Sequence, residues 1–296
     1  MALSQRDVRT RIGSVKNIQK ITRAMEMVAG ARLRRAEQRI EALRPYASAI
    51  ARMTQRAAQG AGQGRKPLPL MERREVSTAG LLLVCGDRGL AGAFNSQVIR
   101  AGLAAATDLR AEGKAVSWYV SGRRGVSSLG FRGETLAGAY TGFSDRPSFA
   151  DARRIAGEII AAYVDRRLDH VQLIYNRFIS PLVQEVRREV LLPVAEATLE
   201  LDEEVEPERA KPLTVEYEPD PVAILARLVP SYVEIAIFRA LLESTASEHG
   251  ARMTAMRNAS ENAGELIDQL TLQMNRARQA EITQEILEVV AGAEAL

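Results

Sequence analysis

Apolar residues recur at every third or fourth position through the N-terminal stretch of the chain. Val8, Ile12, Val15, Ile18, Ile21, Met25 and Val28 fall on one stripe, and charged residues fill the other faces. The spacing predicts one long helix over residues 1–59, roughly 80 Å at 1.5 Å per residue. Pro45 is read as a kink rather than an end. The helix closes at QGAGQGRKPLPL, Gln59–Leu70, inside a linker placed at 60–75. A stripe of this length cannot be buried against its own helix and requires a partner helix. The other end of the chain offers one. Leu225, Leu228, Tyr232, Ile235, Arg239, Leu242, Ala246, His249, Met253, Met256, Ser260, Ala263, Ile267, Leu270, Met274, Ala277 and Glu281 follow a strict alternation of three and four. That is a left-handed coiled-coil seam over a helix placed at 220–296, with Pro230 kinking its start. The two end helices most simply pair antiparallel; the pattern leaves their register open. The seam is thin, because Ala246, Ser260, Ala263 and Ala277 bury little area at ~25 cal/mol per Å2. Gly30 and Gly250 lie mid-helix, each at a cost of about 1 kcal/mol against alanine.

Between the ends, over 76–200, the period changes. AGLLLVC reads as a buried strand, AVSWYVS (Ala115–Ser121) as a second and HVQLIYN (His170–Asn176) as a third. A helical pattern over Phe149–Val164 carries Ile155, Ile159, Ile160 and Tyr163. VQEVRREVLLP, Val183–Pro193, adds a strand after the turn ISP. The fold class is therefore α/β plus a long antiparallel coiled coil, with a central, open, largely parallel Rossmann-like sheet. The acidic segment ELDEEVEPERAKP (Glu200–Pro212) lies in a second linker, 201–219.

Composition narrows the chemistry. Hydrophobic residues make up 46% and charged residues 26%, an ordinary globular balance, and a net charge of +3 argues against nucleic acid as the main partner. The arginines Arg32, Arg34, Arg35 and Arg39 lack interleaved aromatics and read as a solvated helix face or a face for an acidic protein. One cysteine, Cys85, excludes an intrachain disulfide and fits a reducing compartment. The first residues carry no apolar signal core, and no stretch approaches about 18 uncharged apolar residues, so no membrane span is expected.

The one stretch that invites a catalytic reading is Val84–Asn95, VCGDRGLAGAFN, a strand, a glycine turn and a helix start. A P-loop needs G-x-x-x-x-G-K-[ST], and this turn has neither the lysine nor the hydroxyl. A dinucleotide site needs G-x-G-x-x-G and an acid about 20 residues on. Gly86, Gly89 and Gly92 are instead spaced G-x-x-G-x-x-G, and the second strand ends at Ser121-Gly122-Arg123-Arg124. Asp87 would repel a phosphate. The glycines are read as serving a sharp turn and close helix–sheet packing. His170 and His249 sit in different segments, and Asp202, Glu203, Glu204 and Glu206 form a solvated charge run, so no catalytic, cofactor or metal site is expected.

Ile12–Ala47 (IGSVKNIQKITRAMEMVAGARLRRAEQRIEALRPYA) and Ser247–Leu296 closely resemble the two ends of the gamma subunit of F-type ATP synthases. DRGLAGAFN and VEYEPDP (Val215–Pro221) match that family too, so the resemblance covers the whole chain. It implies a central rotor shaft without an active site or cofactor, one copy per complex. The terminal coil would stand inside a hexamer of alpha and beta subunits, with the α/β domain beside the epsilon subunit and the membrane ring. Residue by residue, it implies shaft contacts to the hexamer at Met25, Arg278, Gln279, Thr283 and Glu285, and foot contacts to the ring at Tyr217 and Glu218. Glu281 departs from a position the family commonly fills with a small residue, and Gly30 and Gly250 stand where alanine is frequent. The acidic segment has no cysteine pair, so the thiol switch of chloroplast-type relatives is not expected. A start close to the family motif favours a bacterial protein at the cytoplasmic face of the inner membrane. The rival readings are a nucleotide-binding α/β enzyme with coiled-coil arms, a pure coiled-coil scaffold, and a rotor subunit of vacuolar-type motors. The last would lack the central domain.

Overall fold

The computed structural model describes residues 5–60, 68–194 and 220–294. Tyr217, Glu218 and the acidic segment lie outside them. Two terminal helices, α1 (Gln5–Gly60) and α5 (Pro221–Glu294), run uninterrupted across Pro45 and Pro230. Between them come β1 (Thr78–Val84), α2 (Phe94–Ala111), β2 (Ala115–Ser121), α3 (Arg123–Phe131), β3 (Leu136–Tyr140), α4 (Phe149–Val164), β4 (His170–Phe178) and β5 (Gln184–Leu192). The chain forms two compact units, one of Ala31–Ala251 and one of Met1–Gly30 with Arg252–Leu296.

The larger unit holds a five-stranded sheet of order β3-β2-β1-β4-β5. The pairs β1–β2, β1–β4 and β2–β3 are parallel, and the edge strand β5 runs antiparallel to β4. The alternation of side chains along β1 divides the core. Leu81 and Leu83 face α2 and α3 with Trp118, Val120 and Ile174. Leu82 and Val84 face α4 with Leu173 and Tyr175. Helix α4 starts at a capping box, Ser148 N donating to Asp151 Oδ2 at 2.9 Å and Asp151 N to Ser148 Oγ at 3.3 Å.

The same core takes in α5 through Leu225, Val229, Val233, Ile237 and Leu241. This corrects the seam expected here. Leu228, Tyr232 and Arg239 are only half-buried, and from Ser244 to Gly250 every residue is buried. A helix enclosed by a sheet domain is covered on several sides, so it has no single heptad row. The membrane expectation also changes. Helix α5 contains an 18-residue window of mean hydropathy 1.6 with at most two charges, which is long and apolar enough to cross a membrane. Of that window 28% is buried, and Leu225, Val229, Val233 and Ile237 of this stretch lie in the core.

In the smaller unit the two helices pair antiparallel, as expected. Val8 and Ile12 pack with Leu270. Gln19 Nε2 donates to the Ser260 carbonyl at 3.2 Å, and Arg257 Nε pairs with Glu26 Oε1 at 2.9 Å. Met253 Sδ lies 3.4 Å from where a Cβ on Gly30 would stand. Positions on α1 rise as their partners on α5 fall, which sets the register. On α5 the expected heptad holds: Met256, Ala263 and Leu270 are buried, and Met253, Ser260, Ile267, Met274 and Ala277 are half-buried. On α1 the expected stripe fails after Val15. Ile18, Ile21 and Val28 are 53%, 59% and 53% exposed, and the row one residue later, Gln19, Thr22, Glu26 and Ala29, faces the partner. The steps from Val8 through Ala29 then alternate four and three throughout, which is the 3.5-residue period a two-helix seam requires. Two successive steps of three, Val15 to Ile18 to Ile21, carry the apolar stripe off that row.

Candidate functional site

The glycine turn lies where an open α/β sheet binds ligands, at the carboxyl ends of β1 and β4, where the strand order reverses. In this chain the turn's own groups fill that place. Gly86 N donates to Asn95 Oδ1 at 2.8 Å, and Asn95 Nδ2 returns to the Arg88 carbonyl at 3.2 Å. Asp87 N donates to Ser144 Oγ at 2.9 Å. The Asp87 carboxylate accepts Arg123 N, the first amide of α3, at 2.9 Å on Oδ1. Its Oδ2 accepts Gly142 N at 2.9 Å and Ser144 N at 3.1 Å. An internal carboxylate thus sits at a helix N-terminus among backbone N–H groups, the surroundings a phosphate would seek. Burial pushes the Asp87 carboxyl upward, but the N–H groups of Arg123, Ser144 and Gly142 outweigh it and hold the group below the usual aspartate range.

The crevice itself is closed by α5. The Glu248 carboxylate lies against Gly86, where an added Cβ would stand 2.7 Å from its Oε2. Ser247 Oγ donates to the Asn176 carbonyl on β4 at 3.1 Å, and Thr245 Oγ1 to the Ser144 carbonyl at 2.9 Å. Glu248 is 1% exposed and Cys85 2%. Burial, and then the charge of Glu248, push the Cys85 thiol up to about 12, so it is an inert packing residue. Three elements far apart in sequence converge on this turn, and sequence reading missed Asn95, Ser144 and Glu248. A signal for them existed: the run Ser244–Gly250, STASEHG, is polar in an otherwise apolar stretch of helix.

The remaining candidates are dispersed. His170 opens β4, with its Nε2 3.3 Å from Gln172 Nε2, and burial followed by the Lys114 charge lowers its pKa. His249 is buried in α5. Among the described residues no three His, Cys, Asp or Glu side chains come together as a metal site. On the smaller unit, Met25 is half-buried on α1, while Arg278, Gln279, Thr283 and Glu285 are all exposed on the last part of α5. The Thr283 hydroxyl donates to the Gln279 carbonyl at 2.9 Å. Glu281 stands beside the start of α1, where Gln5 N donates to its Oε1 at 3.5 Å, so its carboxylate faces the positive end of that helix.

A mixed five-stranded sheet between long N-terminal and C-terminal helices recurs in known proteins. A family described as ATP synthase matches residues 4–296. The ATP synthase gamma chain of Rubrobacter xylanophilus is 44% identical over 293 residues, covering 99% of this chain and 98% of its own length. The chain belongs to the ATP synthase gamma chain family. The gamma chain of Moorella thermoacetica is also 44% identical over 293 residues, with 98% of both chains covered. Among solved structures, the central stalk and c-ring of the Tetrahymena thermophila mitochondrial ATP synthase contains a chain with TM-score 0.61 and 25% identity, covering 81% of this chain and 99% of that one. A chain of the Euglena gracilis mitochondrial ATP synthase, at 18% identity, shares the fold with TM-score 0.68 over 98% of this chain and 94% of its own. Within the family, then, this chain is a component of an ATP synthase complex.

Proposed function

We propose that the chain is the central-stalk rotor of an F-type ATP synthase and holds no active site of its own. It carries torque between a proton-driven membrane ring and a catalytic hexamer of alpha and beta subunits, one copy per complex. The epsilon subunit and the ring are its further partners, at the cytoplasmic face of a bacterial inner membrane. The observation that carries this reading is the antiparallel pairing of α1 and α5 in the smaller unit. Its seam is narrow, and its outer faces keep Ile18, Ile21, Leu272 and Ile286 at 53%, 59%, 61% and 58% exposure. A stiff two-helix shaft with unlike faces presents a different surface to each of three otherwise equivalent sites, and each site responds through its differential contacts. Met25, Arg278, Gln279, Thr283 and Glu285 are assigned as shaft contacts to the hexamer, and Tyr217 and Glu218 as foot contacts to the ring. The closed crevice, with Asp87 and Glu248 in place of a phosphate, weighs against the rival nucleotide-binding enzyme.

Assembly tests the proposal. The purified chain is mixed with the alpha and beta subunits of the same organism, and native mass and ATPase activity are recorded. A complex with one copy of this chain and three of each partner, hydrolysing ATP cooperatively, is expected. Failure to assemble, with nucleotide bound tightly by the isolated chain, would overturn it.

A further inference from the structure

On the face of the sheet away from α4, helices α2 and α3 enclose an open cavity of about 550 Å3, within the range of ligand-sized clefts. Arg100, Arg124 and Arg132 line it together with three serines and one asparagine, and none of its ten lining residues is acidic. All three arginines are exposed. The carboxylates nearby are engaged elsewhere. Asp108, the one acid on either helix, reaches Arg188 on β5 at 3.7 Å. Glu134, just past α3, takes Arg110 at 2.6 Å and Trp118 Nε1 at 2.9 Å. Asp87 is held by the backbone amides described above. The Arg124 guanidinium is packed on the glycine turn, its Nη2 2.8 Å from where a Cβ of Gly89 would stand. At the rim Phe131 is 94% exposed, the most exposed of the large apolar side chains described, and Ile99 and Leu103 supply an apolar floor beside it.

We infer that this groove is a docking site for an acidic segment of a partner protein, seated by one apolar residue against Phe131. The charge assigns the sign of the occupant, since guanidinium groups without carboxylates are matched by bidentate carboxylate pairing. Phe131 assigns its class. A small inorganic anion would leave the ring in water, whereas an acidic segment with an apolar anchor covers ring and floor and satisfies the arginines together. Phenylalanine and arginine are also the residue types that protein interfaces concentrate at their centres. The inference does not depend on the rotor reading.

The test uses the full chain and a fluorescein-labelled octapeptide in which glutamates flank a single leucine, read by fluorescence anisotropy at low salt. The acidic peptide binds and its glutamine counterpart does not. Arg124→Glu with Arg132→Glu weakens binding by about tenfold or more, and Phe131→Ala by about threefold or more. Arg34→Glu with Arg35→Glu, on the exposed face of α1, leaves binding unchanged. All of these side chains are exposed, so unchanged thermal unfolding certifies each variant. Equal binding of the glutamine peptide, or equal loss in the α1 variant, would overturn the site. Displacement of the peptide by inorganic pyrophosphate, together with an unaffected Phe131→Ala variant, would overturn the protein partner in favour of a simple anion pocket.

Discussion

Replacing Asp87 with asparagine should destabilise the α/β sheet far more than a change at a turn ordinarily does. The aspartate accepts three backbone N–H groups, from Arg123, Gly142 and Ser144, at 2.9, 2.9 and 3.1 Å. These amides begin α3 and form the connection after β3, so one carboxylate ties the ends of β1, β2 and β3. A hydrogen bond to a charged group contributes about 1.5–3 kcal/mol when buried. Asp87 is half-exposed, so water recovers part of this, and about 1 kcal/mol per bond is appropriate. Asp87→Ala then costs about 3 kcal/mol, and Asp87→Asn, which turns an NH2 toward one donor, costs about 2 kcal/mol. Either is a large share of the ~5–15 kcal/mol that holds a domain together. The assay is built in. Trp118, the chain's single tryptophan, is fully buried in this sheet, so its fluorescence during urea unfolding reports on the sheet alone. A midpoint lower by roughly 1 M is expected for Asp87→Asn. The folded carboxyl is held below its ordinary value, so its contribution is complete above the unfolded pKa near ~3.9 and is lost as pH falls through the folded value. The gap between wild type and Asp87→Asn should therefore be constant above about pH 5 and close below about pH 4. A variant within about 0.5 kcal/mol of wild type, or a gap that persists undiminished into strong acid, would refute the reasoning.

Gly30→Ala should stabilise α1 by up to about 1 kcal/mol, because its Cβ meets Met253 Sδ at an ordinary 3.4 Å; amide exchange around residue 30 should slow severalfold. Gly250→Ala should bring no such gain, because its Cβ would stand 3.2 Å from the Pro181 carbonyl oxygen, and calorimetry should find its Tm at or below wild type. Gly122 has φ +95° and leaves a Cβ only 2.1 Å from the Cys85 carbonyl oxygen, so Gly122→Ala should lose at least about 3 kcal/mol by urea unfolding. Cys85 should resist thiol reagents at pH 8 until the sheet unfolds, and its labelling against urea should superimpose on the Trp118 transition.

What the sequence disclosed and what it hid follow from the range of the forces involved. Strands β1, β2 and β4, helix α4 and the C-terminal seam past Met253 were legible, because each is written in a local period of apolar side chains. Strand β3, LAGAY, and helix α3, RRGVSSLGF, were not, because short segments of small residues carry no such period. The row on α1 was misjudged because Ile18 and Ile21 are more apolar than Gln19 and Thr22. The facing helix decides which row is covered, and that geometry is absent from either sequence stretch alone. The sharp turn at Gly86–Gly92 was legible in its three glycines, of which Gly92 takes a positive φ of 54°. Its closure by Glu248 was out of reach, since the two meet across more than 160 positions of chain.

The outward apolar row of the smaller unit has a consequence for the life of the chain in the cell. Gln19, Thr22 and Ala29 are spent on the seam, while Ile18, Ile21, Met27 and Val28 face outward, with Met27 at 66% exposure. Such a molecule is poorly suited to solitude. An orphan copy offers the same oily row to chaperones, proteases and other orphans, and its survival depends on how soon a partner covers it. Surplus synthesis is then expected to be cleared rather than stored, and the half-life of the chain in the cell to lengthen when its partners are co-expressed.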